Sequence, residues 1–308
     1  MKRAGKWLPS TSRHSIAVAT VAVSFIAIWK PLSRLVDYAL SHESSSHILL
    51  IPFVSFYFLF VQGREVFQEI RWSPAAGIPI IAAGVTGLLF AQRFLPFLAG
   101  ADYLFAATFS IVTIWCGVFL LIYGDRAVRT AAFPLAFLVL MVPLPEAVLA
   151  GTIHFLQEGS ISVTCLLFKI AGVPYLCHGF VLTLQNVSIE VAQECSGIRS
   201  SMALFITCLL AAKLFLRSRW KMTVFVLLAI PFAILKNGIR ITTLTLLSIY
   251  VNPSFLSGRL HHQGGFIFFL ITLAMMGAVL YCLQKADARK PASSEATSSK
   301  MDRSLAKG

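Results

Sequence analysis

Three residues have the side chains that a thiol acyl-transfer enzyme needs, namely Cys195, Arg240 and His261. A cysteine and a histidine are the minimal nucleophile and base, because an imidazole can accept a thiol proton near neutral pH. An arginine can orient a substrate carbonyl or carboxylate, or stabilise an oxyanion. All three lie in or beside apolar segments, so the chemistry depends on whether those segments bring them to one place.

Cys195 lies in the sequence ECSGIRSS, directly before an apolar run that begins at residue 198. At a helix N-terminus and beside Arg199, a thiolate is favoured by the helix dipole and by the guanidinium charge. Ser196 is a further candidate for contact with a substrate. Taken alone, Cys195 is also compatible with an inert cysteine at a membrane surface.

Arg240 ends the sequence KNGIR, which lies inside a long apolar segment. Charged residues within a membrane are costly and usually face a polar cavity. Asn237 and Arg240 are three residues apart and therefore share a helix face. Arg240 alone also fits a side chain that reaches back to the membrane surface, but Lys236 lies deeper and favours a functional cavity.

His261 and His262 stand in the sequence LHHQGG, immediately before another apolar run. They are also compatible with ordinary histidines in an interfacial loop. Paired histidines can bind metal, but a zinc site needs three or four ligands. The sequence has no HExxH motif and no second cluster of ligands, so we expect neither a metal nor a cofactor.

The other cysteines give little sign of chemistry. No CxxC pair is present, so zinc-ribbon and thioredoxin-like functions have no support. Only Cys177 and Cys195 are surrounded by polar residues in the sequence. The remaining four lie in apolar stretches and are expected to act as small hydrophobic residues: Cys116, Cys165, Cys208 and Cys282.

The composition predicts a membrane protein. The chain has 308 residues, of which 57% are hydrophobic and only 13% are charged. A soluble domain carries about 25% charged residues, so this chain must bury its surface in the lipid bilayer. The net charge of +13 comes from short basic runs between apolar segments, which orient membrane helices. A nucleic-acid partner is therefore not expected.

Apolar runs of about 18–25 residues mark membrane-spanning helices, and their number predicts an all-α, polytopic bundle of about eight. The first follows a basic start without a small-residue cleavage site, so a signal anchor is expected. The predicted spans are 15–33, 48–63, 75–96, 101–123, 130–145, 198–216, 222–250 and 265–283.

The distribution of basic residues predicts the orientation. Most of the 26 Lys and Arg residues fall in the N-terminus, in alternate loops and in the C-terminal tail. The positive-inside rule puts these segments in the cytoplasm, so Cys195, Arg240 and His261 would all face the extracytoplasmic side. The predicted organisation is a cytoplasmic N-terminus at 1–14, a multi-pass domain at 15–283 and a disordered cytoplasmic tail at 284–308.

Two segments before Cys195 do not fit the simple alternation. Residues 147–171 are apolar but carry polar groups, and a ninth crossing would invert the basic cluster at 213–221. We therefore expect an amphipathic or re-entrant element on the outer side. Residues 173–194 alternate like a short extended hairpin, which is expected to form a lid or platform.

At these motifs the chain resembles the exosortase/archaeosortase family. The likeness lies in CSGIRS from Cys195, in NGIR from Asn237 and in HHQGG from His261, which occur in the family's order. Milder likenesses are SHILLIP, which contains His47, together with FPL, PLP and GVP. The resemblance spans roughly residues 40–283, and a histidine in the third motif favours the bacterial exosortase branch.

The resemblance implies an inner-membrane enzyme that cleaves a C-terminal sorting signal on exported proteins. Such a signal has a short motif (often Pro-Glu-Pro), a transmembrane helix and a basic cluster. Cys195 would be the nucleophile, Arg240 the substrate or oxyanion arginine, and His261 the acid/base. His261 is preferred to His262 because the family's histidine commonly follows a leucine. Substrate-binding or supporting roles would fall to Arg199, Asn237, His262, Ser196 and His47.

Two other functions remain compatible with the sequence. A transporter or channel could line an anion path with Lys236 and Arg240, and it would need no reactive thiol. A structural protein for the assembly or export of envelope polysaccharide would need no catalysis, although proteins of an exopolysaccharide system could also be partners of the enzyme. The response to replacement of Cys195 separates these functions from the enzyme.

Overall fold

The computed structural model of the protein describes residues 10–68, 70–95, 100–184, 187–191, 196–255 and 265–288. These residues fold into two units, Met1–Ala150 and Gly151–Gly308. Residues 1–9 and 289–308 lie outside the described ranges, so most of the predicted terminal segments do as well. The predicted organisation into 1–14, 15–283 and 284–308 stays a prediction.

Helices dominate both units. The α-helices that begin in the first are α1 Ser10–Ala27, α2 Trp29–Ser41, α3 Ile51–Val61, α4 Gly63–Val66, α5 Pro74–Phe94, α6 Ala101–Thr130, α7 Ala132–Phe137 and α8 Glu146–Ile170. Those of the second are α9 Ile198–Phe215, α10 Arg219–Tyr250 and α11 Gly265–Ala288. Short 3₁₀ turns lie at Glu43–Leu49, Leu138–Met141 and Pro253–Phe255.

The all-α polytopic membrane architecture predicted from the sequence is confirmed. Within the described residues, five helices are long and apolar enough to cross a membrane: α5, α6, α9, α10 and α11. A sixth span results if the bent pair Ala132–Met141 and Glu146–Ile170 is counted as one. The predicted number of about eight is not reached among these residues.

When the bent pair is counted as a span, the shortfall comes from the two most N-terminal predicted spans. The predicted span 15–33 is interrupted at Ile28, where the backbone leaves the helical region with φ −104° and ψ 16°. The helix that follows, α2, is amphipathic and buries Pro31, Leu35 and Ala39. The predicted span 48–63 contains α3, whose 11 residues cover about half of the bilayer core at about 1.5 Å per residue.

Helices α5 and α6 pack closely through small residues. A β-carbon added at Gly77 would lie 2.7 Å from Leu121 Cα, and one added at Gly84 would lie 2.7 Å from Ile114 Cγ1. The pairing runs in opposite directions along the two helices, so they are antiparallel. Small residues allow helix backbones to approach each other in lipid, where van der Waals contact replaces the hydrophobic effect.

The end of the predicted span 101–123 coincides with a break in α6. Gly124 has a φ of 87° inside the helix, a conformation that favours glycine. A β-carbon there would lie 2.5 Å from the carbonyl oxygen of Arg71. The glycine therefore permits both the break and the close approach of the chain before α5.

The segment predicted to be re-entrant or amphipathic forms α8, a continuous helix of 25 residues. Its first turn receives a cap from the side chain of Asp102, whose Oδ1 accepts the Glu146 N–H at 2.8 Å. The chain bends by 91° between Ala132–Met141 and α8. Such a bend belongs to a broken span or to a re-entrant loop.

The predicted hairpin at 173–194 is a three-stranded antiparallel sheet. Its strands are β1 Leu176–His178, β2 Val181–Leu184 and β3 Val187–Glu190, in the order β1-β2-β3. Alternation along β2 buries Leu182 and Leu184 while Thr183 is exposed. The buried side chains join a core cluster with Ile161 and Phe168 from α8, Ile241 from α10 and Val191, the residue after β3.

A second core cluster in the same unit joins α9, α10 and α11. Its buried members include Leu204 from α9, Phe225 and Ala229 from α10, and Met276 from α11. Cys208 is one of them at 2% exposure, as expected of a cysteine that acts as a small hydrophobic residue. Both clusters include side chains of α10. Helices α8 and α9 and the sheet are therefore all positioned by packing against α10.

Candidate functional site

The first turn of α9 is built by Gly197 and the serines that follow it. Gly197 precedes the helix with a φ of 72°, a left-handed conformation that glycine adopts without steric cost. Its carbonyl accepts the Oγ–H of Ser200 at 3.0 Å and that of Ser201 at 2.9 Å. Ser196, the residue after Cys195, is 1% exposed. The motif after the cysteine is thus a tightly bonded, buried helix start.

The chain before Cys195 is also held in place. Val191 is 1% exposed, and its N–H donates to the carbonyl of Phe180 at 2.8 Å. The buried side chain of Gln157, on α8, donates to the carbonyl of Val191 at 2.7 Å. Cys195 follows Val191 by four residues and lies outside the described residues.

Asn237 connects three elements at this position. Its Nδ2 donates to Ser160 Oγ, on α8, at 3.0 Å. A β-carbon added at Gly197 would lie 3.0 Å from Asn237 Oδ1, so the amide lies against the turn that begins α9. The structure therefore brings Gly197 of the CSG motif into contact with Asn237 of the NxxR motif.

Gly238 lies at a close approach of α8 and α10. A β-carbon at Gly238 would lie 2.5 Å from Val163 Cγ1 and 3.2 Å from the carbonyl oxygen of Ser160. The Thr164 hydroxyl reaches the Gly238 carbonyl at 3.4 Å. The glycine after Asn237 therefore lets the amide reach Ser160 on the neighbouring helix.

Two cations on α10 lie on the same side as this contact. Lys236 is 5% exposed, and its ammonium donates a hydrogen bond to Ser200 Oγ on α9. Arg240 is partly buried and lies four residues later, so the two side chains share a helix face. The surroundings of the CSG turn are consequently polar and positively charged.

A comparison with protein families covers this part of the chain. The model of the transmembrane exosortases matches residues 39–278 of the chain, which include Cys195, Arg240 and His261. The chain belongs to the transmembrane exosortase family. It is therefore a multi-pass membrane protein of a family that processes sorting signals on exported proteins, and whose members are in general cysteine-type transpeptidases. No curated protein and no solved structure shows significant similarity to it.

Among the expected exosortase residues, the structure brings Ser196 and Asn237 into one buried region of the second unit. Arg240 lies one turn beyond Asn237, and Arg199 is exposed on the first turn of α9. His47 lies partly buried in the 3₁₀ turn of the first unit. Cys195, His261 and His262 lie outside the described residues, so a common cleft of Cys195, His261 and Arg240 stays a prediction.

The polar contribution of α8 was missed from the sequence. Gln157, Ser160 and Thr164 are each at most 6% exposed, and they follow one another at intervals of three and four residues. That spacing is typical of one helix face, so the signal was present in the sequence. Within the described ranges, no three His, Cys, Asp or Glu side chains come together in a way that could hold a metal ion.

We expect Gly197→Ala to impair both stability and processing. An alanine at positive φ costs about 1–2 kcal/mol, and its methyl group would press on Asn237 Oδ1. The matched control is Gly172→Ala, because Gly172 has a φ of 70° but nothing within 4 Å of an added β-carbon. Thermal unfolding in detergent and processing rates should show a larger loss for Gly197→Ala. Equal losses in both variants would mean that the Asn237 contact is unimportant.

Proposed function

We propose that this exosortase is a cysteine protease and transpeptidase that cleaves the C-terminal sorting signal of exported proteins through a thioester on Cys195. The observation that best supports this function is the contact between Gly197 and Asn237. It joins the helix start that follows Cys195 to the motif that carries Arg240, so two of the three motifs needed for the chemistry meet in the fold.

The proposed reaction has two steps. In the first, His261 accepts the Cys195 proton while the sulfur attacks the scissile carbonyl, and Arg240 holds the carbonyl oxygen as it gains negative charge. His261 then gives the proton to the departing amine, and the N-terminal part of the substrate stays bound as a thioester. In the second step an amine acceptor or water attacks the thioester and transfers its proton to His261, which passes it to the sulfur of Cys195 as the thioester bond breaks.

We further propose that this site lies on the extracytoplasmic face of the inner membrane, with both termini in the cytoplasm. The basic residues of the loops support that orientation. Exported substrates carry their sorting signal into the same membrane, which brings the scissile bond to the outer surface. The substrate tail and the enzyme would then meet without either leaving the bilayer.

Trapping the thioester tests the proposed function. The protein in liposomes would be incubated with a reporter whose tail has a Pro-Glu-Pro motif, a transmembrane helix and a basic cluster. We expect a covalent adduct of the enzyme with the N-terminal part of the reporter, detected by mass spectrometry at Cys195. Hydroxylamine should release it as a hydroxamate, because thioesters react readily with this nucleophile.

Two comparisons make the trapping experiment decisive. A Cys208→Ala variant should form the same adduct, since Cys208 is buried in the core between α9, α10 and α11. A reporter without the basic cluster should form less of the covalent adduct. Cleavage of the reporter with no hydroxylamine-sensitive adduct, or an adduct on another cysteine, would contradict the proposal.

A further inference from the structure

Two lysines on α10 are buried. A stabilising contact with the end of another helix explains the burial of only one of them. Lys221 is 7% exposed and donates to the carbonyl of Leu283 at 3.2 Å, near the C-terminal end of α11. A cation near the last carbonyls of a helix is a common stabilising arrangement. Lys236 is 5% exposed and lies in the middle of a membrane-spanning helix. Its hydrogen-bond partner is a side chain, not a carbonyl at a helix end.

The hydrogen-bond partner of Lys236 is itself bonded to the turn that follows Cys195. The Lys236 ammonium donates to Ser200 Oγ, and the Ser200 hydroxyl donates in turn to the Gly197 carbonyl at 3.0 Å. A hydroxyl has one donor and two acceptor positions, so it can take part in both bonds at once. Lys236 is therefore connected by two consecutive hydrogen bonds to the second residue after Cys195.

Packing alone does not require a charge at this position. Asn237, the next residue on α10, already lies against Gly197 and is neutral. Burying an ammonium in a membrane helix is costly, and a methionine of similar length would fill the same space. Ser160 and Thr164, which α8 turns toward α10, are uncharged. Among the residues that the structure describes, the other cations on these parts of α9 and α10 are Arg199 and Arg240.

We propose that Lys236 is a positioning residue for the thiol chemistry of Cys195. Through Ser200 it fixes the position of the Gly197 turn, and its buried charge favours the thiolate of Cys195, which stands two residues before Gly197 in the chain. This inference rests on the proposed function of Cys195. It assigns to Lys236 a task in catalysis that is separate from the task of Arg240 and from the structural bond made by Lys221.

The first test separates kcat from KM. Lys236→Met keeps the length of the side chain and removes its charge, so kcat for the tailed reporter should fall at least about tenfold, which corresponds to about 1.4 kcal/mol. KM should change by less than about twofold, because a positioning residue does not touch the substrate. Lys236→Arg should restore most of kcat. Lys221→Met should lower the unfolding temperature and leave kcat near that of the parent.

The second test is a double-mutant cycle between Lys236 and Ser200. If the lysine acts through the serine, Ser200→Ala should lower kcat, as Lys236→Met does. Lys236→Met combined with Ser200→Ala should then be little worse than Lys236→Met alone. Additive losses in kcat would overturn the proposed connection. A normal kcat in Lys236→Met would overturn the role of the lysine altogether.

The third test does not depend on processing. In a variant that keeps only Cys195, the alkylation rate by a membrane-impermeant maleimide at pH 7 should fall at least about fivefold with Lys236→Met, because the thiolate is the reactive form. Lys236→Arg and Lys221→Met should react like the parent. If no variant processes the reporter but this order of rates is found, the proposed function fails and the role of Lys236 stands. Equal alkylation rates in Lys236→Met and the parent would reject that role.

Discussion

Replacing Cys195 by alanine is expected to abolish processing of a tailed reporter while the protein still inserts and accumulates. Loss of a catalytic nucleophile lowers turnover by about four orders of magnitude or more in thiol- and serine-type enzymes. The alanine removes only a sulfur atom, so the packing of α9 on α10 should be kept. The measurement is the fraction of reporter cleaved in cells, together with the amount of the membrane protein.

The other cysteines are the controls for this experiment. Alanine at Cys116, Cys165, Cys208 or Cys282 should leave processing close to normal, with a packing cost only. Cys177 is exposed and its thiol is free, and active enzyme should keep it so, because a bridge from Cys177 to Cys195 would block the nucleophile. Full processing of the reporter by Cys195→Ala would exclude the thioester mechanism.

Gly238→Leu is expected to have the second-largest effect, with loss of both the fold around the site and the activity. The approach of α8 to α10 leaves no room for a side chain, because a β-carbon would lie 2.5 Å from Val163 Cγ1 and 2.7 Å from Val163 Cβ. Overpacking of this kind typically costs about 1–3 kcal/mol and often more when backbone must move. Separation of the helices would also break the bond from Asn237 to Ser160.

The matched control is Gly277→Leu on α11, where nothing lies within 4 Å of an added β-carbon. It places the same leucine in another membrane-spanning helix without a steric conflict. Thermal unfolding in detergent should show a large decrease for Gly238→Leu and little change for Gly277→Leu, with processing lost only in the first. If both variants unfold like the parent and process the reporter, the close contact at Gly238 is not required.

Hydropathy alone predicted the helices that are long and continuous. The predicted spans 75–96, 198–216 and 222–250 agree with α5, α9 and α10 to within three residues at each end, because a run of apolar residues long enough to cross a bilayer has few alternatives to a helix. The span 265–283 begins at the right residue, although α11 continues to Ala288.

Two elements differed from the apolar pattern, namely the break at Ile28 and the division of 173–194 into three strands. Pro31 lies three residues after Ile28, and a proline cannot donate to the preceding helical turn, so the sequence held a signal for the break that apolar runs alone do not show.

At the site, the predicted meeting of Cys195, Arg240 and His261 stays a prediction, while the described residues show a contact between Gly197 and Asn237. The motifs could not predict the pairings of Ser160 and Ser200, since hydrogen bonds between helices depend on how each helix is rotated about its axis.

The chain is held in place both before and after Cys195, so the number of residues between the two held points is constrained. Val191 is held by Phe180 and Gln157, and Ser196 is buried at the start of α9. Four residues connect these two points, and the fourth is the nucleophile. An insertion or deletion in the exposed turn at Gly179 can be absorbed by solvent. The same change between Val191 and Ser196 cannot be absorbed in this way, because both ends are held, so the number of residues there is more constrained than at Gly179.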